Sequence, residues 1–264
     1  MKRAIGVLLI GLLAVPGLAA LITGHQDTSA TGAVVDGVLS PGEYGNGAYS
    51  YVGGGTGFGG TLGAGVLYFD SDASNLYIGF QPGNNLNDNV AIMLDTRAGG
   101  FRDADMNDTA DGGRMAVSNQ AVNADDAYPV LPDFGIVIGS FGIVAFELTA
   151  GNTPGHLIYV PNSYSGQFTG NAPTFREYAL PLGAVGARIP VPTSTCIGFF
   201  AAYVSDGGYG SNESIPASAA LNAGPNLGFD TFSPGYDNYD QFCTFPEPAS
   251  LLALVALAGL IRRR

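Results

Sequence analysis

The sequence predicts an all-β protein, an antiparallel β-sandwich of jelly-roll or immunoglobulin-like type, flanked by an N-terminal signal helix and a short C-terminal transmembrane helix. Three observations carry that prediction. Glycine and proline are abundant, at 40 and 16 of 264 residues, while 46% of the chain is hydrophobic, so it is rich in turns yet able to bury a core. Short runs of branched and aromatic residues recur between turn-formers through the middle of the chain. Both ends are apolar runs flanked by basic residues, a pattern of export and membrane segments.

At the N-terminus, Lys2 and Arg3 precede an apolar stretch from Ala4 to Ile22, with a small-residue cleavage candidate at Gly17-Leu18-Ala19. Residues 1–24 read as a secretory signal peptide, and the mature chain is expected to begin between Ala20 and His25. The sandwich domain is expected over 25–244. Val34 to Tyr44 reads as short extended pieces and turns, and the glycine-rich stretch Gly53 to Gly65 as a surface loop. The clearest hairpin joins Val66–Phe69 to Leu76–Phe80 through the polar turn Asp70–Asn75. Further strands are predicted at Val90–Leu94, Arg114–Ser118, Phe134–Ile138, Ile143–Leu148, Leu157–Val160, Phe175–Leu180 and Ile197–Val204. Helix is expected only as turns at Leu182–Val185 and Ala217–Leu221.

Net charge is −12. Lys2, Arg3, Arg262, Arg263, Arg264 and Glu247 lie in the two ends, which leaves 21 acidic against five basic residues between them. That balance repels phosphate backbones and argues against a nucleic-acid partner. No lysine follows Lys2, which removes Schiff-base chemistry. Cys196 and Cys243 are the only cysteines; in an oxidising compartment they read as one disulfide, with two free thiols as the alternative.

The densest cluster of oxygen donors is Asp103-Ala104-Asp105-Met106-Asn107-Asp108-Thr109-Ala110-Asp111. Alternating carboxylate and amide oxygens on one loop suit a hard cation, so Asp103, Asp105, Asn107 and Asp111 are candidate calcium ligands. The alternative is a solvated acidic loop, and Asp108 at the sixth position with Arg114 at the twelfth excludes an EF-hand. Asp70, Ser71, Asp72 and Asn75 read as a turn whose side chains cap its backbone. Nucleophilic catalysis needs a base beside a serine or cysteine, and the only histidines are His25 and His156, the latter read as a turn or edge residue. Glycosidase chemistry needs two placed carboxylates; Glu147 and Glu177 are the candidates, but both fall at outward positions of their predicted strands. Tyr203, Tyr209, Tyr236 and Tyr239 are possible sugar-stacking rings. The chain therefore reads as non-enzymatic.

The C-terminus runs Phe245-Pro246-Glu247-Pro248, an uncharged stretch from Ala249 to Ile261, and Arg262-Arg263-Arg264. The arginines would stay cytoplasmic, and the stretch rises only about 20 Å as a helix. This ending resembles the PEP-CTERM sorting signal of exopolysaccharide-producing Gram-negative bacteria. The resemblance implies an exosortase-type membrane enzyme that cuts near Pro246-Glu247-Pro248 after a transient inner-membrane stage, leaving the protein in the cell envelope or outside it. Within the body, Val35-Asp36-Gly37, Asn75-Leu76-Tyr77-Ile78, Asp88 to Asp95 and Arg176 to Leu182 together resemble family 9 carbohydrate-binding modules and their DOMON-like relatives, over about Val34 to Val204. That resemblance implies a β-sandwich, often calcium-stabilised, with sugar or haem as ligands in relatives. Modules of that family clamp sugar between tryptophans, and this chain has none, so no binding aromatic carries over. The function expected is an exported, non-catalytic structural or binding component associated with exopolysaccharide. The alternatives are a carbohydrate-binding module of the cell surface and a cryptic glycoside hydrolase.

Overall fold

The computed structural model describes residues 20–27, 31–50, 61–97, 99–101, 108–118, 131–160, 165–167, 170–181, 196–208, 210–216 and 238–243. The expected signal segment up to residue 19, the helical turns at 182–185 and 217–221 and the sorting tail lie outside them. Among the described residues, thirteen strands form two sheets that pack face to face. The larger sheet runs in the order β1 (Ala20–Gln26), β13 (Asn238–Cys243), β11 (Cys196–Val204), β5 (Asn89–Asp95), β6 (Phe134–Gly139), β7 (Gly142–Glu147), β8 (Ile158–Tyr159), with β12 (Gly210–Ile215) also on β11. The smaller runs β2 (Ala48–Ser50), β3 (Val66–Ser71), β4 (Asn75–Gln81), β10 (Arg176–Pro181), β9 (Ser165–Gln167). Every pairing is antiparallel except β1 with β13.

Alternation within the strands builds the core. Leu67 and Phe69 of β3, Leu76, Ile78 and Phe80 of β4, Val90, Ile92 and Leu94 of β5, and Ile197, Phe199, Ala201 and Tyr203 of β11 all point between the sheets. Side chains of this size release roughly 1.5–3 kcal/mol each on full burial. Arg176 lies in the same interior, fully buried, with Nη1 donating to the Gly139 carbonyl of the opposite sheet at 3.1 Å and Nη2 to Gly170 at 2.7 Å. Carbonyls replace the water that its charge loses.

The outer face of the large sheet is also covered. Ala91, Met93, Val137, Phe200, Ala202 and Val204 form a second apolar cluster with Ala116 and Val117 of the helix α1 (Gly112–Ser118). The sequence predicts a strand over Arg114–Ser118; the structure corrects this to a helix. Asp111 caps it, its carboxylate accepting the Arg114 N–H at 2.8 Å while its carbonyl accepts Met115 N–H at 2.9 Å, the side-chain cap and first turn of a helix start. Ala116, Val117 and Ser118 are buried in succession, which alternation cannot provide. Gly135 makes this packing possible, since a Cβ there would lie 2.5 Å from Val117 Cγ1.

Other boundaries also move. The hairpin turn forms as expected, with Asp72 accepting from Ser74 and Asn75 N–H at 2.6 and 2.7 Å. The strand expected at Leu157–Val160 shortens to the two residues of β8. The end of the stretch read as a surface loop, Thr61, Leu62 and Gly65, is buried. β1 occupies residues ahead of the expected boundary at 25.

Candidate functional site

Of the candidate calcium ligands, Asp103, Asp105 and Asn107 lie outside the described residues. Asp111 is exposed, caps α1 and ion-pairs with the Arg114 guanidinium. Its neighbour Asp108 is the buried member of the loop. Asp108 accepts N–H groups from Ala110 at 3.0 Å, Gly155 at 2.6 Å and Leu157 at 2.9 Å, with Arg114 Nε at 3.5 Å and His156 Nδ1 at 3.6 Å. Burial pushes its carboxyl upward, but those three donors and His156 outweigh it and hold the group below the usual carboxylate range. His156 Nδ1 lies 2.8 Å from the Thr153 carbonyl, so the ring closes a turn, as the sequence reading expects. Among the described residues no group of three or more His, Cys, Asp or Glu is placed to hold a metal.

The two carboxylates considered for glycosidase chemistry are both buried. Glu177 does face outward from its sheet but is covered by the segment holding Asp36, Gly37 and Tyr44. Glu147 shares the inward face of β7 with Ile143 and Ala145, which corrects the outward position expected of it. The two also belong to different sheets. Glu147 on β7 receives Arg97 Nη2 at 2.9 Å, and the same guanidinium places Nε 2.7 Å from Asp133. Asp133 further accepts Thr96 N–H at 2.7 Å. Burial raises its carboxyl despite Thr96 and Arg97. Nearby Asp95 accepts Leu131 N–H at 3.2 Å and is pushed up to about 6 by burial, with the Asp133 charge adding to the rise. Glu177 on β10 accepts Asp36 N–H at 3.0 Å, Gly37 N–H at 2.6 Å and the Tyr44 hydroxyl at 3.0 Å. Both acids are thus engaged in internal ties.

Glu177 sits at the centre of the most developed feature of the surface. Across the outer face of the small sheet, Tyr68, Gly79, Glu177 and the backbone of Gln167 are register partners. The segment 31–47 lies over them. Its carbonyl at Gly47 accepts Phe69 N–H at 2.8 Å, and Glu43 accepts Val34 and Ser40 N–H, both at 2.9 Å. Gly79 leaves the space that Tyr44 and Phe175 fill, a Cβ there standing 2.8 Å from both rings. Tyr44, Tyr68 and Phe175 meet with ring centroids 5.3, 5.7 and 6.1 Å apart. Tyr44 is buried, its hydroxyl pushed far up by burial and by Glu177, while Tyr68 and Phe175 are half-exposed. They form a partly exposed aromatic edge beside the Glu177 hydrogen bonds.

The tyrosines singled out from sequence are placed differently. Tyr203 is on β11, buried, with Asp88 N–H donating to its hydroxyl at 3.1 Å. Tyr239 packs half-buried against the outer cluster, and Tyr209 and Tyr236 lie outside the described residues. At the seam of the two sheets, Asp27, next after β1, accepts the Ser71 N–H at 2.9 Å and its hydroxyl at 2.5 Å. The adjoining Asp70 is 2% exposed, with Oδ2 lacking a hydrogen-bond partner, and burial together with the Asp27 charge pushes it up to about 7. On the other flank of β13, Cys196 and Cys243 are register partners joined by a disulfide.

No protein-family model matches the chain, and no curated protein matches it. Among solved structures it is similar to a family 9 carbohydrate-binding module from Caldicellulosiruptor kristjanssonii in complex with glucose, at 12% identity and a TM-score of 0.43, over 85% of this chain and 97% of that one. The same module in complex with cellotriose matches at 13% identity and a TM-score of 0.42, over 86% and 96%.

Asp72 caps its turn as the sequence reading expects, but what that reading missed is how widely the pattern extends: Asp27, Glu43, Asp108, Asp133, Glu177 and Glu213 each accept loop or strand-end N–H groups. Charge-assisted acceptance of this kind contributes about 1.5–3 kcal/mol per bond. A legible sign existed in the surplus of acids at the ends of apolar runs.

Proposed function

We propose that this chain is an exported, non-catalytic component of the cell envelope or matrix that binds or organises glycan alongside exopolysaccharide. In this reading a sorting enzyme recognises Pro246, Glu247, Pro248 and the Arg262-Arg263-Arg264 cluster. The observation that carries it is the last strand, where β13 is cross-linked through Cys243 three residues before Pro246. A body closed by a disulfide suits an oxidising space, and the sorting segment follows directly. The absence of catalysis is supported by Glu147, Glu177 and His156, each engaged with internal partners. Intact mass of the protein from medium and membrane, with and without an exosortase, tests the reading. A species ending near Pro246 is expected only with the enzyme present, and an uncut membrane-held chain under both conditions would reject the sorting.

The glycan surface proposed is the partly exposed edge of Tyr68 and Phe175, since the accessible part of an aromatic ring can stack on a pyranose face. Tyr68→Ala with Phe175→Ala is expected to weaken retention on a polysaccharide gel about tenfold while leaving the circular-dichroism spectrum unchanged; unaltered retention would place the surface elsewhere. A calcium ion on Asp103, Asp105 and Asn107 is likewise proposed. Asp111 completes the proposed set, a cation there taking the place of the Arg114 guanidinium that pairs with it. Calorimetric titration with calcium chloride, repeated on Asp103→Asn with Asp105→Asn, tests it, heat lost in the variant being the expected result.

A further inference from the structure

We propose that Asp27 and Asp70 form a cation site at the seam of the two sheets, with calcium as the ion that fits it. The site stands independently of the export and glycan reading. Asp70 lies on β3 of the small sheet, and Asp27 directly follows β1 of the large one. The Asp27 carboxylate accepts the Ser71 N–H at 2.9 Å and the Ser71 hydroxyl at 2.5 Å, which sets it against the adjoining Asp70 carboxyl. Both are deeply covered, Asp27 being 5% and Asp70 2% exposed. The covering segment forms the roof. Ala33 N–H turns to Asp70, and a Cβ on Gly32 would stand 1.9 Å from Tyr77 Cε2.

The second, independent observation is an orphaned atom. Asp70 Oδ2 is buried with no hydrogen-bond partner among the described residues. Carboxylates buried side by side repel one another and lose their hydration, so the pair requires a counter-charge. The described cationic side chains are committed elsewhere: Arg97 to Asp133 and Glu147, Arg114 to Asp111, and Arg176 to the carbonyls of Gly139 and Gly170. His25, two residues before Asp27, packs edge-on against Tyr49. The donors are carboxylate and hydroxyl oxygens, which select a hard cation. Magnesium keeps several waters in a strict octahedron, and groups this covered leave little room for a hydrated ion. Calcium takes about six to eight oxygens in irregular geometry; the two carboxylates and the Ser71 hydroxyl supply most of them, with main-chain carbonyls to complete the shell. A bound ion would brace the end of the first strand against the opposite sheet. The helix that Asp111 caps lies elsewhere, on the outer face of the large sheet.

The test is the thermal midpoint of the full chain at pH 8, which leaves Asp70 charged, in EDTA, in calcium chloride and in magnesium chloride. It is run on Asp103→Asn with Asp105→Asn, so that the acidic loop does not report, and again with Asp70→Asn added. In the first chain calcium is expected to raise the midpoint by about 5 °C and magnesium by less; in the second neither ion moves it. Asp70→Asn keeps the side-chain shape and relieves like-charge repulsion, so its midpoint in EDTA should match or exceed that of its parent. Hydrogen exchange supplies the location: calcium should slow the Ser71 amide, which Asp27 holds, more than the amides of β5. A midpoint indifferent to calcium overturns the proposal and means that a shared proton neutralises the pair. An equal rise in both chains places the ion elsewhere, and an equal rise in magnesium overturns the choice of calcium.

Discussion

Asp70 is a carboxylic acid held well away from its ordinary state. It faces Asp27, the residue after β1, while Tyr44 of the covering segment and Tyr77 of β4 feel its charge. Its carboxyl stands near 7 in the fold against an ordinary 3.8. The folded state therefore binds more protons than the unfolded chain between those values, and stability contributed by this group is present at low pH and lost as pH rises through about 7. Solvent screening reduces the nominal figure to on the order of 1–2 kcal/mol. Urea titrations from pH 4 to 8 are expected to show that decline in the wild type and a flatter profile in Asp70→Asn. An identical slope in both would mean that another group governs the profile. The identity of the turn was legible here, since Asp72 caps it as its sequence implies. The burial of Asp70 was not, because Asp27, which closes over it, comes from a stretch distant in sequence that nothing local marks as its neighbour.

Among elements, those with strong alternation were legible: β3, β4, β5, β6, β7, β10 and β11 fall within a residue or two of expectation. Those that depend on distant partners were not. β2, β9 and β13 have little apolar periodicity of their own and are fixed by pairing with β3, β10 and β11. α1 took the opposite path, its short apolar run satisfying either period until the outer face of β5 and β6 decided the matter. The covering segment 31–47 is held by side chains rather than by a ladder, and Glu177 is its main anchor. Glu177→Gln keeps the shape but gives up charge assistance to the Asp36 and Gly37 amides, an expected loss of about 1–3 kcal/mol. Hydrogen exchange at those two amides should accelerate more than exchange in β5; equal effects across the molecule would mean that the segment is not separately anchored. Tyr44→Phe, which removes one neutral donor, should cost about 1 kcal/mol.

For the molecule as a whole, the seam between first and last strands is where sequence and fold meet. β13 lies between β1 and β11, and the Cys196–Cys243 link closes a loop with a sequence separation of 47. Constraint of such a loop in the unfolded chain contributes about 3–4 kcal/mol. Release of the link should act locally as well, because β1 has β13 as its neighbour in the sheet, and loss of β13 frees both. Cys196→Ser with Cys243→Ser is therefore expected to lower the urea midpoint and to raise hydrogen exchange in 20–27 and 238–243 before 89–95 or 134–147. Uniform exchange, with the midpoint unmoved, would mean that pairing alone holds the seam. If the expected order is seen, the disulfide is what secures β13 and, through it, β1, and an oxidising environment is what preserves this seam.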